Sequence, residues 1–240
     1  MTADLKSSND GQRETSARSY SLIASIYDSM NSLLTGGQNT AARLSQLEEI
    51  EPGDRVLYAG AGTCDDALEA ALKGAKVTCL DLSPGMLEKG RQRFEKAGLV
   101  GEFVCCNIME YTPDEPFDIV TANFFLNVFS RPVMEKVLKK VVSFVRPDGK
   151  LLIADFARPY GNPLLMVIHS MMFHGTFIAH WALGLASLHL IYDYTRYYQK
   201  LGMKLTGRKR FRLYWKGPWL FEMVSGIKVG DKEADAGVTA

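Results

Sequence analysis

Residues 55–63 read RVLYAGAGT, and 19 residues after Gly62 a second apolar run, AKVTCLD (75–81), ends on Asp81. The first run is strand-like, and it empties into Gly60-Ala61-Gly62-Thr63 before a helix-forming stretch at 64–73. Glycines at 60 and 62 let the backbone come close to a ligand, and the helix that follows aims free N–H groups at it. A carboxylate at the end of the next strand suits two ribose hydroxyls, although helix capping is the competing use of Asp81.

The details narrow the ligand. The chain has no GxxxxGK[ST] string, so a P-loop nucleotide site is excluded. No third glycine stands at the dinucleotide spacing, and Asp65 and Asp66 at the helix start would repel a pyrophosphate. Those acids fit a ligand that carries cations instead, such as S-adenosylmethionine with its sulfonium and ammonium.

Outward from this unit, strand and helix alternate. A helix is predicted at 83–97 with Ser83 as N-cap and Pro84 at its first position. Strands follow at Glu102 to Cys106 and Phe117 to Ala122, a helix at 131–145, and a fifth strand at Lys150 to Phe156. The pattern is α/β: a mostly parallel, Rossmann-like sheet with helices on both faces. After 193, a helix and two strands (KLTGRKRFRLYW and WLFEMVS) give it an antiparallel end. Helices are predicted at 17–34 and 38–50. The composition of residues 1–15 and 230–240 predicts disorder, which leaves one domain over 16–229.

Residues 159–192 break the alternation. No charged side chain occurs between Arg158 and Asp193, and all four histidines lie here: His169, His174, His180 and His189. The segment reads as a lid over a pocket for a long apolar substrate, in preference to two plain core helices. A membrane-spanning helix fits poorly between sheet strands. The histidine intervals of 5, 6 and 9 give no helical metal pair. A manganese site would instead draw on carboxylates such as Asp118, Asp155 or Asp193.

Lys and Arg total 28 against 27 Asp and Glu, a net charge of +1. No positive surplus is available for phosphates, which argues against nucleic acid as a partner. Four cysteines without a CxxC pair, three of them in apolar runs, read as buried hydrophobes in a reducing compartment, with Cys64 in the glycine loop set apart. The polar first 21 residues lack an apolar signal core and argue against secretion.

The stretches IYDSMN (26–31), RVLYAGAGT (55–63), LDLSPGML (80–87), FVCCNI (103–108), FDIVTANFFLNV (117–128), LKKVVSFVRPDGKLLIADF (138–156) and YDYTRYYQKLGMKL (192–205) resemble class I S-adenosylmethionine-dependent methyltransferases. The resemblance is closest to the ubiquinone/menaquinone C-methyltransferases. It implies a seven-stranded sheet and cofactor contacts from Tyr27, Tyr58, Gly60, Ala61, Gly62, Thr63, Asp81, Leu82, Met86, Asn107, Ile108 and Asn123. For Asn107 and Asn123, turn formation at strand ends is the competing use.

Two positions depart from the family motif VLDLGCGTG: its acid is Tyr58 and its third glycine is Cys64. Tyr58 is either a packing residue or a sign that the cofactor's amino group is handled differently. A tyrosine at this point resembles the rhodoquinone biosynthesis proteins. That resemblance implies conversion of ubiquinone to rhodoquinone, with S-adenosylmethionine as amino donor and manganese as metal. It further implies a catalytic role for Tyr58 and a cytoplasmic or matrix protein in peripheral contact with the inner membrane; His174 is the candidate general base by the usual pKa of imidazole, with a structural role as the competing use. An ordinary quinone or phenol methyltransferase, and a non-catalytic lipid- or partner-binding fold, are the alternatives.

Overall fold

Apolar and β-branched residues crowd the short strands because a parallel sheet is covered on both faces. In the computed structural model, which describes residues 36–171, 191–213 and 216–230, four such strands run in parallel: β1 (Arg55–Ala59), β2 (Lys76–Asp81), β3 (Glu102–Cys105) and β4 (Phe117–Asn123). The parallel set is completed by β5 (Val145–Phe156), and the sheet by antiparallel β6 (Met203–Arg212) and β7 (Trp219–Lys228). The order is β3-β2-β1-β4-β5-β7-β6. Strand order therefore reverses between β1 and β4, and a crevice opens there at the carboxyl edge.

The helices are α1 (Gln38–Leu44), continued by a 3₁₀ turn at Ser45–Glu49, α2 (Asp65–Leu72), α3 (Pro84–Lys96), α4 (Arg131–Ser143), α5 at 163–171 and α6 (Thr195–Lys200). Ser83 caps α3, its hydroxyl accepting from the Met86 N–H at 3.4 Å, with Pro84 in the first turn. The period-two alternation of β1 divides the core. Leu57 and Ala59 join Val120, Leu138 and Val141 beneath α4, while Val56 and Tyr58 join Ala67, Leu87 and Phe94 beneath α2 and α3. Tyr58 is thereby assigned to the α2/α3 face.

Two expectations change. The fifth strand begins at Val145 rather than Lys150, because Val145 already pairs with Phe117 before a register shift at Arg146–Gly149. Cys105 is exposed, against its reading as a buried hydrophobe, while Cys64, set apart in the sequence, is buried. Cys105 ends the sheet's edge strand, whereas Cys64 turns inward from its loop. The N-terminal segment to residue 35, the greater part of the expected lid (172–190) and the tail from 231 lie outside the described residues.

The amino edge of the sheet is fastened by Asp118. Its carboxylate accepts from the Arg55 backbone N–H at 2.8 Å and from Arg146 Nε at 2.6 Å, joining β1, β4 and β5. Partial burial pushes its pKa up, but these donors outweigh it and hold the carboxyl below the usual range. A group with a depressed folded pKa stabilises above its unfolded pKa and loses that contribution as pH falls. Asp118→Asn is expected to cost about 1–2 kcal/mol in urea unfolding at pH 7. The gap from the parent should close as the pH is lowered through the carboxylate range.

Candidate functional site

The loop after β1 is held by the end of β2. The N–H groups of Gly60 and Ala61 both donate to the Leu80 carbonyl, at 2.9 and 3.0 Å. The Gly62 N–H donates to Asp81 Oδ2 at 2.8 Å, and the Ser83 N–H donates to Oδ1 at 2.8 Å. Asp81 is thus a clamp between two loops, in part the capping acid that sequence left open. Each of its oxygens keeps a second lone pair for a further donor.

Gly60 has φ 69°, and a Cβ built on it would lie 2.2 Å from Cδ2 of Phe125. Only glycine fits this left-handed, overlaid position. Gly62 has φ 53°, and a Cβ there would meet nothing within 4 Å, so the loop faces open space at that point. A group approaching there would contact backbone, the geometry a small cradle requires.

Cys64 takes the place of the motif's third glycine and still adopts the left-handed conformation, with φ 59°. Gly90 of α3 makes room for it: a Cβ on Gly90 would sit 2.6 Å from Cys64 Sγ. Thr63 is tied locally, its hydroxyl donating to Asp65 Oδ2 at 2.7 Å. Arg93 grips the same turn through the Thr63 carbonyl at 2.9 Å and through Asp65.

Behind the loop lies a buried polar cluster of which sequence reading marked only Asn123 and the acid at 66. Asp66 pairs with Arg43 of α1 at 3.0 Å and accepts from Asn123 Nδ2 at 3.0 Å. Asn123 and Gln46 exchange hydrogen bonds at 2.7 and 3.1 Å. The Asn123 amide is therefore committed to this cluster, in addition to sitting where β4 ends. Burial pushes the Asp66 carboxyl up, against the opposing pull of Arg43 and Asn123. Tyr58 is buried beside it, and burial followed by the Asp66 charge pushes the phenol well above its usual range. The residue that replaces the motif acid is a neutral phenol, and the nearby carboxylate already has a guanidinium partner.

The remaining predicted contacts divide. Ile108 and Met86 are buried, while Leu82 is 71% exposed at the carboxyl edge. Asn107 forms a turn, its Oδ1 accepting from the Met109 N–H at 3.0 Å. Tyr27, His174, His180 and His189 lie outside the described residues.

The three carboxylates named for manganese do not meet. Asp118 is at the amino edge, and Asp155, at the other end of the sheet, takes Asn127 at 2.6 Å and the Tyr194 hydroxyl at 2.5 Å. Asp193 pairs with Arg158 and Arg196. Among the described residues no group of three His, Cys, Asp or Glu could hold a metal. These residues do not fit the ion.

Residues 56–149 match the family described as a methyltransferase domain. The ubiquinone/menaquinone biosynthesis C-methyltransferase of Vibrio vulnificus is 34% identical over 167 residues, which is 66% of this chain and 63% of that protein. A demethylmenaquinone methyltransferase of Clavibacter sepedonicus is 34% identical over 140 residues, 57% of this chain and 56% of its own. The chain thus spans under two thirds of the length of these relatives. Among solved structures, the 1,6-didemethyltoxoflavin-N1-methyltransferase of Burkholderia thailandensis, with bound 1,6-didemethyltoxoflavin and S-adenosylhomocysteine, gives a TM-score of 0.64 at 17% identity, covering 91% of this chain and 90% of that one. The magnesium protoporphyrin IX methyltransferase of Synechocystis, with bound S-adenosylmethionine, gives 0.58 at 15% identity and 80% of each chain. The fold is that of the class I S-adenosylmethionine methyltransferases.

Gly60→Ala tests the loop directly. A left-handed alanine that meets the Phe125 ring is expected to cost about 2–4 kcal/mol in urea unfolding. A loss below about 1 kcal/mol would mean that the ring swings freely off the loop.

Proposed function

We propose that this class I fold is an S-adenosylmethionine-dependent, quinone-modifying enzyme, and that its reaction replaces a ring methoxy group of ubiquinone by an amino group to give rhodoquinone. The quinone part rests on the methyltransferase relatives, a ubiquinone/menaquinone biosynthesis C-methyltransferase and a demethylmenaquinone methyltransferase. The amination part rests on one observation: a buried, neutral Tyr58 stands where the motif has an acid.

In this reading Gly60, Ala61, Gly62 and Thr63 cradle the methionine part of the donor, and the free lone pairs of Asp81 accept the ribose hydroxyls. Leu82, Met86, Ile108 and Asn107 border the adenine, and Asn123 and Tyr27 complete the walls. Tyr58 acts by what it withholds. A carboxylate beside an ammonium favours the charged form, whereas a desolvated phenol does not, so the donor's amine loses its proton more readily. The Asp66 charge does not replace the missing one, because Arg43 and Asn123 already occupy its oxygens.

When bound, S-adenosylmethionine would supply the nitrogen: its uncharged amine would replace methoxide at the ring carbon, methanol carrying off one amine proton, and hydrolysis of the N–Cα bond, with the hydroxyl of water going to Cα and its proton to nitrogen, would leave the ring amine. His174 is assigned to proton handling at the ring, a use that fits imidazole chemistry. No step is routed through manganese, since the carboxylates named for it are engaged elsewhere.

The substrate is lipophilic, and the chain's address for it is the bilayer surface. Exposed apolar residues on α5 lie beyond the carboxyl edge of the sheet, and Arg210 stacks on Tyr160 in the connection that leads to them. No helix among the described residues is long and apolar enough to cross a membrane. The second reading, methyl transfer to a quinone or phenolic ring, draws on the same relatives and uses the same cradle.

Incubation with ubiquinone and donor labelled with ¹⁵N at the amine separates the two. Amination predicts a quinone product carrying the heavy nitrogen, and methylation predicts a gain of one methyl carbon from the sulfonium. Tyr58→Asp should retain binding of S-adenosylhomocysteine while lowering amination at least about tenfold, the equivalent of one pKa unit on the amine. Undiminished amination in that variant would reduce Tyr58 to a packing residue.

A further inference from the structure

Helix α5 is turned inside out. Leu164, Val167, Ile168 and Met171 recur at the spacing that normally marks the core-facing stripe. Here they are 67%, 56%, 38% and 71% exposed. The fully buried residue of the described helix is His169, at 1% exposure, and neither of its ring nitrogens has a hydrogen-bond partner.

A buried imidazole with both nitrogens bare is costly, because its water contacts are lost and nothing replaces them. Burial holds its pKa down to about 4, so it is uncharged at neutral pH. A neutral imidazole presents one N–H donor and one acceptor, and both are unspent. The other buried polar atoms without a partner are different. Glu222 leaves one oxygen bare while the other takes Arg208 at 2.6 Å, Arg210 stacks on Tyr160 and has Glu222 within 3.6 Å, and Thr121 is a single hydroxyl inside β4.

Position agrees with a ligand role. Six residues join the carboxyl end of β5 to α5, and the guanidinium of Arg210, 4.7 Å over the Tyr160 ring, ties that connection to β6. The helix therefore leaves from the carboxyl edge, the edge that carries the Gly60–Thr63 loop and Asp81.

We propose that His169 is the hydrogen-bonding residue of the substrate site, its N–H donating to a carbonyl oxygen of a quinone-type ring; the choice of ring rests on the quinone reading above. A neutral donor of this kind polarises the carbonyl and makes the conjugated ring carbons more electrophilic without giving up its proton. A ring carbonyl would give the imidazole N–H the partner that its burial denies it. The apolar stripe on the opposite face is left for the lipid phase from which such a ring comes.

The test uses the full chain with a short-chain, water-soluble ubiquinone. His169→Leu removes an unpaired polar group, so the melting temperature is expected to hold or to rise by about 2–4 °C. Quinone binding by equilibrium dialysis should weaken at least tenfold, with S-adenosylhomocysteine affinity within twofold of the parent. His169→Gln, which keeps a donor, should recover part of the binding. A lower melting temperature for His169→Leu, or unchanged quinone binding, overturns the assignment and makes the histidine structural. Parent protein that binds quinone through His169 but yields no ¹⁵N-labelled product leaves this assignment standing and ends the amination reading. Labelled product with unaltered binding in His169→Leu does the reverse, and a parent that binds no quinone ends both.

Discussion

The arrangement at the carboxyl edge depends on one carboxylate bridging two loops. Asp81 receives the Gly62 N–H through one oxygen and the Ser83 N–H through the other. The first bond sets the glycine loop against the end of β2, and the second starts the turn that Ser83 caps into α3. The loops leave the adjacent strands β1 and β2, on one side of the β1/β4 point where strand order reverses, so the clamp fixes that wall of the crevice. A charged acceptor is well suited to this, since bonds from backbone N–H groups to an ionised carboxylate are stronger than neutral ones. It also explains how an acid can serve structure and ligand together, with two lone pairs spent and two in reserve.

Around this clamp the loop tolerates two departures because each has a physical counterpart nearby. Cys64 in place of glycine puts a side chain where α3 approaches, and Gly90 supplies the missing volume. Tyr58 in place of an acid removes a charge from beneath the loop, while Asp66, eight residues later, is a carboxylate locked to Arg43. The net result is a loop with the backbone of its fold and a different electrostatic floor. An acid that faces a ligand can hold an ammonium, whereas an acid that faces a guanidinium holds the N-terminal helix α1 in place.

The doubly wound sheet was legible in sequence because its signals are local. The apolar runs at 55–60 and 75–81, the glycine loop, and the Ser83-Pro84 start of α3 each depend on neighbours within a few residues. What escaped was set by partners far apart in the chain. Gly90 against Cys64, Phe125 over Gly60, and Gln46 with Asn123 are separated by 26, 65 and 77 residues, and no periodicity encodes them. Cys105 was misjudged for the same reason: an apolar neighbourhood in sequence does not reveal that the strand is an edge. The carboxylates proposed for a metal failed on topology, since the two ends of a strand face opposite edges of the sheet.

The two edges spend their polar groups in opposite ways. At the amino edge, Asp118 has a backbone amide and a guanidinium, Arg55 reaches Glu115 and the Pro116 carbonyl, and Lys150 reaches Glu49. Toward the carboxyl edge lie the buried polar atoms that lack partners among the described residues, on Thr121, His169, Arg210 and Glu222. Folding alone favours closing such bonds wherever side chains can reach them; Glu222 is met by Arg208 and Arg210, which leaves His169 as the residue with both ring nitrogens bare. That histidine lies on the side of the sheet that carries the glycine loop, where a ligand carbonyl would meet its N–H. The inverted helix follows from that requirement: presenting a histidine inward leaves Leu164, Val167, Ile168 and the methionines outward, a cost in water that a lipid surface removes.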